Sequence, residues 1–500
     1  MNRAGMGAED PTEELAGSRE LRERVAHRSY VKEQYPAMVE NNRIGAGELR
    51  RLREEAEGFV YRPLVSVVMP VYDPELRWLE RALDSVLGQA YGRWELCVCD
   101  DCSTDGRVRE TLSRYARLDG RVKVVRPERN AGISRASNAA LALATGEFVA
   151  LLDHDDELSP DALVEAVRLL QEHPGADLIY SDVDKIDELG NRVDPNFKPG
   201  WSPDLLLSAN YISHLGIYRR SIFEEVGAFR EGFDGAQDYD LVLRFTERTD
   251  NVYHVPKVLY HWRMVSGSVA ADSGNKSYIA EKGRRALAEA LERRGLEGSV
   301  EDGLLPNRFR ARLKIEGEPR VSIVIPTRDN VSFLRRCVRS IEQRTSYPNY
   351  EILIVDNDSV EPETLEYLAS TPHRIVPFKE EFNYSRINNF GVSLAEGEYI
   401  LLLNDDTEVI SGGWMEEMLQ HAQRPEVGAV GAKLLYPNGR IQHAGVVTGV
   451  GHPWAPGLAE HSHQHYPADS PGYVGALGTL RNYSAVTAAC TMVRKSLFEE

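Results

Sequence analysis

The chain has 500 residues, 42% of them hydrophobic, with a mean hydropathy of -0.39. That length and composition suit roughly two to four globular domains with large cores. The formal net charge of -18 and the pI of about 5.3 exclude the basic surface that nonspecific nucleic-acid binding requires. No nucleic-acid partner is therefore expected, and an anionic ligand would need a metal ion or a local basic group.

No apolar run approaches the ~18 residues of a membrane span. The opening MNRAGMGAEDPTEELAG lacks the apolar core of a secretory signal. Five cysteines show no pairing framework, so a reducing cytoplasm is the expected compartment. Cys97, Cys99 and Cys102 do not have zinc-site spacing, and the first two sit in an apolar strand.

Residues 1–18 are small and polar and read as disordered, and 18–58 read as one or two charged helices. From 64 onward strands and helices alternate. LVSVVMP is a strand, Leu79 to Leu87 a helix, WELCVCD a strand, and Val108 to Leu118 a helix. RVKVVR is a strand, Ser134 to Ala144 a helix, EFVALLD a strand, Asp161 to Leu170 a helix, and ADLIYSD a strand. This alternation predicts an α/β fold with a Rossmann-like, doubly wound, mostly parallel sheet.

The pattern is duplicated. VSVVMPVYD at 65 returns as VSIVIPTRD at 321, and WELCVCDDCS at 94 as YEILIVDNDS at 350. SRASNAALALATGEFVALLDHDD at 134 returns as SRINNFGVSLAEGEYILLLNDDT at 385, and RRSIFEE at 219 as RKSLFEE at 494. A repeat of this length is a domain duplication rather than a solenoid. The last pair is further apart, so the second copy carries an insertion after Asp406. The expected organisation is a disordered and helical start over 1–60, a first domain over 61–280, a helix and linker over 281–317, and a second domain over 318–500. Because the second copy has no counterpart of the residues after Glu225, it is expected to be incomplete and the chain to be part of a longer protein.

Candidate chemistry gathers at strand ends. Phe148 to Leu152 is a short buried run followed by Asp153, His154, Asp155 and Asp156. Open α/β sheets bind ligands at this carboxyl edge, and paired carboxylates suit Mg²⁺ or Mn²⁺ together with phosphate oxygens. The alternative is a solvated acidic turn. Asp100 and Asp101 end another strand and could accept from a base or ribose, and Tyr72 could stack on a base. SDVDK at 181 follows a strand at the same edge and either contacts the donor sugar or acceptor or is a capped turn. Asp238 is either a first-turn helix acid or a functional carboxylate. His261 is either structural or a ligand. His461, His463 and His465 could share one side of an extended segment and bind metal, or lie in a flexible Gly/Pro-rich loop.

Taken together, VSVVMPVYD, CDDCSTD, DHDD, GAQDYDLVLR and VPKVLYHWR resemble glycosyltransferase family 2, with its GT-A fold. The resemblance covers about residues 61–265 in full and 318–500 as a partial second copy. Tandem pairs of this kind are similar to bacterial enzymes that extend cell-surface polysaccharides such as O-antigen or rhamnan. The resemblance implies that Pro70, Tyr72 and Asp101 bind the nucleotide. It implies that Asp153 and Asp155 occupy the DxD positions, with Asp155 the direct metal ligand. Asp238 would be the catalytic base and His261 the metal-associated histidine. The implied cofactor is Mn²⁺ or Mg²⁺, and the implied reaction is inverting. The partners would be a UDP-, dTDP- or GDP-sugar donor and a glycan or lipid-linked glycan acceptor, with peripheral contact to the inner membrane or assembly machinery.

The second copy departs from that pattern. Asn404 replaces Asp153, Asp406 keeps the position of Asp155, and Asn357 replaces Asp101. A second donor site would use Pro326, Asn357, Asn404 and Asp406, and would at most bind donor. Two other readings stand beside this one: a noncatalytic glycan- or nucleotide-binding scaffold, and a nucleotidyltransferase. The latter would want a Gly-rich phosphate loop that VYDPELRW lacks.

Overall fold

A computed structural model describes residues 33–264, 273–452 and 455–500. The disorder expected for 1–18 lies outside the described residues. Two compact units are present. The first runs to Gly295 and resumes over Val300–Arg310; the second comprises Leu296–Ser299 and Ala311–Glu500.

In the first unit, β1 (Val65–Val71) is buried along its whole length except Pro70, and β2 (Trp94–Asp100) is buried throughout. Such unbroken apolar runs form strands that are covered on both faces. With β3 (Val122–Val125) and β4 (Phe148–Leu151) they make a parallel set in the order β3-β2-β1-β4. The helices Leu76–Leu87, Gly106–Leu118 and Ile133–Leu141 provide the crossovers. Register pairs Val65 with both Trp94 and Phe148, and Val71 with Asp100, which aligns the strand ends.

The sheet then becomes mixed. β5 (Glu157–Leu158), β6 (Leu178–Ile186), β7 (Arg192–Asn196), β8 (Gly216–Arg219) and β9 (Val252–Arg263) complete the order β3-β2-β1-β4-β8-β6-β9-β5, with β7 on β6. β8 runs antiparallel to both β4 and β6, while β9 runs parallel to β6 and antiparallel to β5. SDVDK is therefore not a turn: β6 continues through it to Ile186. The helix Ser273–Arg293 packs within this unit, where Arg293 pairs with Glu247 at 2.8 Å.

A two-stranded ribbon, β10 (Gly298–Asp302) with β11 (Phe309–Leu313), precedes the second sheet. That sheet is built from β12 (Val321–Thr327), β13 (Tyr350–Asp356), β14 (Arg374–Pro377), β15 (Tyr399–Leu403) and β16 (Ala429–Gly431). The insertion holds two ribbons, β17 (Leu434–Leu435) with β18 (Ile441–His443), and β19 (Val446–His452) with β20 (Ala455–His461). It is followed by β21 (Cys490–Arg494). The order β14-β13-β12-β15-β21-β16 reproduces β3-β2-β1-β4-β8-β6 of the first unit.

Candidate active site

Pro70, Tyr72, Asp101 and Asp153 lie where the sequence puts them, at the ends of neighbouring parallel strands. Tyr72 exposes its ring, at 48% accessibility. Asp101 is 2% exposed. Its carboxylate accepts the backbone N–H groups of Ala131 and Gly132, both at 2.9 Å, and its own N–H donates to Val71 O at 2.8 Å. Asp101 therefore shapes the loop entering the helix Ile133–Leu141. Gly132 takes φ +86°, which favours glycine. Asp100 beside it is paired with Arg126 at 3.1 Å. Cys97 and Cys99 are buried, and burial pushes both thiols up to about 12.

The DHDD segment is closed by β9. The β5–β9 register sets Glu157 opposite His261. Arg263 Nε donates to Asp155 O at 2.9 Å, its guanidinium pairs with Glu157, and it lies 3.9 Å over the Trp78 ring. Asp156 is fully buried, with Tyr260 Oη donating to Oδ2 at 2.5 Å and Arg263 N to Oδ1 at 2.7 Å. Tyr260 Oη also accepts from Asp153 N at 3.3 Å. Burial first, then repulsion among the three aspartates, raises the carboxyls of Asp155 and Asp156 above the usual range. A cluster of this kind favours a cation.

His261 is buried, and its Nδ1 lies 2.6 Å from Asp184 Oδ1. When Nδ1 carries the proton, Nε2 is left with its lone pair, the state a metal-binding imidazole needs. Among the described residues no group of three or more His, Cys, Asp or Glu gathers as a metal-holding set. A carboxylate and an imidazole nonetheless fit Mg²⁺ or Mn²⁺, which commonly takes one or two protein ligands and completes its shell with phosphate and water.

A third element comes from residues 208–215, which sequence reasoning did not single out. His214 stacks on Tyr260, with centroids 4.9 Å apart, and its Nε2 lies 3.8 Å from Asp153 Oδ2. Lys198 Nζ holds this segment through the carbonyls of Ile212 and His214 at 2.7 and 2.6 Å. Burial pushes the Lys198 ammonium down to about 7. Asn210 Nδ2 donates to Asp238 Oδ2 at 2.9 Å, and Tyr239 N donates to Oδ1 at 2.9 Å.

Asp238 thus sits in the first turn of the helix Gln237–Phe245, where the helix dipole favours an anion. Its neighbour Asp240 is the structural acid. It is fully buried and paired with Arg244 at 2.7 Å and with Arg230.

In the second unit, Pro326 is half-buried near the end of β12 and Asn404 follows β15, while Asp406 is exposed. Asn357 is 1% exposed and donates to the carbonyls of Phe378 and Glu380 at 3.2 and 2.9 Å. Its Oδ1 is buried without a hydrogen-bond partner. The three histidines of EHSHQHYP do not converge. His461 Nδ1 lies 2.9 Å from His443 Nδ1, His463 contacts Ser462 at 2.6 Å, and His465 stacks on Tyr436. Positive φ at His463 (+54°) and His465 (+66°) breaks the alternation that would have aligned them.

The family model for "Glycosyl transferase family 2" matches residues 66–227 and 322–500, and the chain belongs to that family. A protein of Sinorhizobium fredii, y4gI, is 50% identical over 90% of this chain and 50% of its own length. The O-antigen biosynthesis protein RfbC of Myxococcus xanthus is 40% identical over 88% of this chain and 34% of its own. The chain thus spans half or less of the length of these two relatives. Among solved structures, TarS of S. aureus in complex with UDP-GlcNAc is 23% identical, covering 46% of this chain and 72% of that one, with a TM-score of 0.37.

Among the described residues no helix is long and apolar enough to cross a membrane.

Proposed function

We propose that this chain transfers a sugar, with inversion, from a nucleotide-sugar donor to a hydroxyl of a growing cell-surface glycan, and that the first unit does the chemistry. Family membership supports sugar transfer, and 40% identity to a relative named for O-antigen biosynthesis supports the acceptor class. It also sets aside the nucleotidyltransferase alternative. The observation that supports the reading is the return of β9, whose Tyr260 and Arg263 hold Asp156 and whose His261 pairs with Glu157 just past the DHDD segment. Five unpaired cysteines suit reaction in a reducing cytoplasm. The donor is a UDP-, dTDP- or GDP-sugar, and the acceptor is a glycan or lipid-linked glycan presented from the inner membrane or its assembly machinery.

Pro70, the exposed Tyr72 ring and the loop shaped by Asp101 form the nucleotide end. Asp155 and His261 Nε2 would hold Mn²⁺ or Mg²⁺, with Asp153 beside them, and the cation supplies the positive charge that the departing diphosphate needs. Asp238, its two oxygens oriented by Asn210 and Tyr239 N, takes the proton of the acceptor hydroxyl as that oxygen bonds to the anomeric carbon. The bond to the diphosphate breaks in the same displacement, so the anomeric centre inverts. For the second unit, with Pro326, Asn357, Asn404 and Asp406 at its edge, we propose donor binding without transfer.

The test is a thermal-shift panel of UDP, GDP, dTDP and CDP, each with and without Mn²⁺, on wild type and Asp155→Ala. One nucleotide should stabilise the wild type, and only when both Mn²⁺ and Asp155 are present. A shift indifferent to both would refute the metal centre. No shift in a folded protein would favour the scaffold reading.

A further inference from the structure

Residues 33–41 are helical, and Tyr35 is the only buried side chain between 33 and 43. The mixed charges of this segment argue against membrane or partner contact, and its buried tyrosine points into the first unit. A buried phenol needs a hydrogen-bond partner. Tyr35 Oη donates to Asp184 Oδ2 at 2.6 Å, and the Tyr35 ring meets Phe197 edge-on at 6.3 Å.

Asp184 is a hub with no exposed side-chain surface. Its Oδ2 also accepts from Arg192 Nε at 2.5 Å, while Oδ1 faces His261 Nδ1 at 2.6 Å. The Tyr35 phenol and the Arg192 guanidinium both donate to Oδ2, which leaves Oδ1 to accept from His261. That arrangement keeps the proton of His261 on Nδ1 and its lone pair on Nε2.

We propose that Tyr35 is a positioning residue of the donor-metal site. By fixing Asp184 it fixes the ring direction and tautomer of His261, so that docking of helix 33–41 sets the affinity of the first unit for its divalent cation. The inference rests on the metal reading given above. It makes the segment ahead of the first strand part of the site.

The experiment titrates Mn²⁺ into the full chain, followed by electron paramagnetic resonance, alone and with UDP, for wild type, Tyr35→Phe and His261→Ala. Tyr35→Phe keeps the ring and removes one donor. It should weaken Mn²⁺ binding about 10-fold, the lower end of what outer-shell partners of metal ligands contribute, with circular dichroism and melting temperature near wild type. His261→Ala should lose more. Wild-type Mn²⁺ affinity in Tyr35→Phe together with loss in His261→Ala overturns the role of Tyr35 alone. Unchanged affinity in both overturns the metal centre as well. A readout free of metal is ¹⁵N NMR of the histidine rings. His261 should be in the Nδ1–H tautomer in wild type and less uniformly so in Tyr35→Phe. An Nε2–H tautomer in wild type would sink the proposal without recourse to any variant.

Discussion

In the first unit Ser66 Oγ donates to Glu95 at 2.6 Å and accepts from Gly146 N at 2.9 Å. In the second, Ser322 donates to Glu351 at 2.5 Å and accepts from Gly397 N at 2.8 Å. The same buried node joins the central strands in both copies, and the strand order is the same as far as β6 and β16. At the edge they part. Asp156 draws both its donors from β9, whereas Thr407, at the matching position, turns its hydroxyl back onto Asn404 O at 2.8 Å. A buried carboxylate is tolerated in the first copy because a late strand brings Tyr260 and Arg263 to it. In the second copy the Thr407 hydroxyl is met within its own turn. The frame is set by local packing, and the site by a distant return of the chain.

The largest expected effect separates the copies by activity. Asp238→Asn should cut transfer by about 10²–10⁴-fold, the usual contribution of a positioned general base, while the nucleotide-dependent thermal shift persists. Asp406→Asn should leave transfer at wild-type level. A rate assay on the two variants in parallel decides the matter, and loss of transfer in Asp406→Asn would move chemistry into the second unit.

The next effect is on stability. Burial alone would raise Glu95, but Lys123, Ser66 and Thr145 together lower it from 4.5 to about 2. A carboxyl lowered on folding stabilises the fold fully above about pH 4.5 and loses that contribution as pH falls toward 2. The contribution is about 3 kcal/mol by the shift. Urea midpoints between pH 5 and 2.5 should therefore fall for wild type more than for Glu95→Gln. Equal slopes would show that the node is not what acid breaks.

Much of this was legible in the chain. Strands β1, β2 and β4 are plain apolar runs, and the repeat announces the duplicated frame. Asp153, Asp155, Asp238 and His261 follow from strand ends and resemblance, and the structure puts Asp153 and Asp155 just past β4 and His261 on β9, opposite Glu157. What escaped were contacts between residues far apart in sequence. Asp182 and Asp184 look like turn acids because alternation normally sends Asp to solvent. Here both face inward, satisfied by Lys198 and His254 in one case and by Tyr35, Arg192 and His261 in the other. Only the β6–β9 register, pairing Asp184 with His261, reveals why. His214 and Asn210 gave no signal, because residues 208–215 lack periodicity. The histidines of EHSHQHYP do not line one side because two positive-φ residues interrupt the segment.

Two glycines test the shared frame directly. A Cβ at Gly146 would lie 2.6 Å from Leu64 O, and one at Gly397 would lie 2.7 Å from Arg320 O. Neither backbone oxygen can swing away as a flexible side-chain tip can. Gly146→Ala and Gly397→Ala should each cost about 1–3 kcal/mol, as overpacking does, and by similar amounts. Denaturant melts giving a large loss for one and none for the other would show that the two nodes are not equivalent.

The smallest effects probe the edge where the copies differ. Tyr260→Phe removes the donor to Asp156 Oδ2 and leaves a buried acceptor unpaired, at a cost of about 1–3 kcal/mol. Thr407→Val removes a hydroxyl whose partner, Asn404 O, also receives Thr407 N at 3.3 Å. The carbonyl stays satisfied, so only the net value of one hydrogen bond is lost, about 0.5–1.5 kcal/mol. Urea unfolding of the two variants should therefore rank Tyr260→Phe above Thr407→Val. The opposite ranking would mean that Asp156 does not depend on β9 for its place, and that the contrast between a carboxylate satisfied from afar and a threonine satisfied at home is not what separates the two edges.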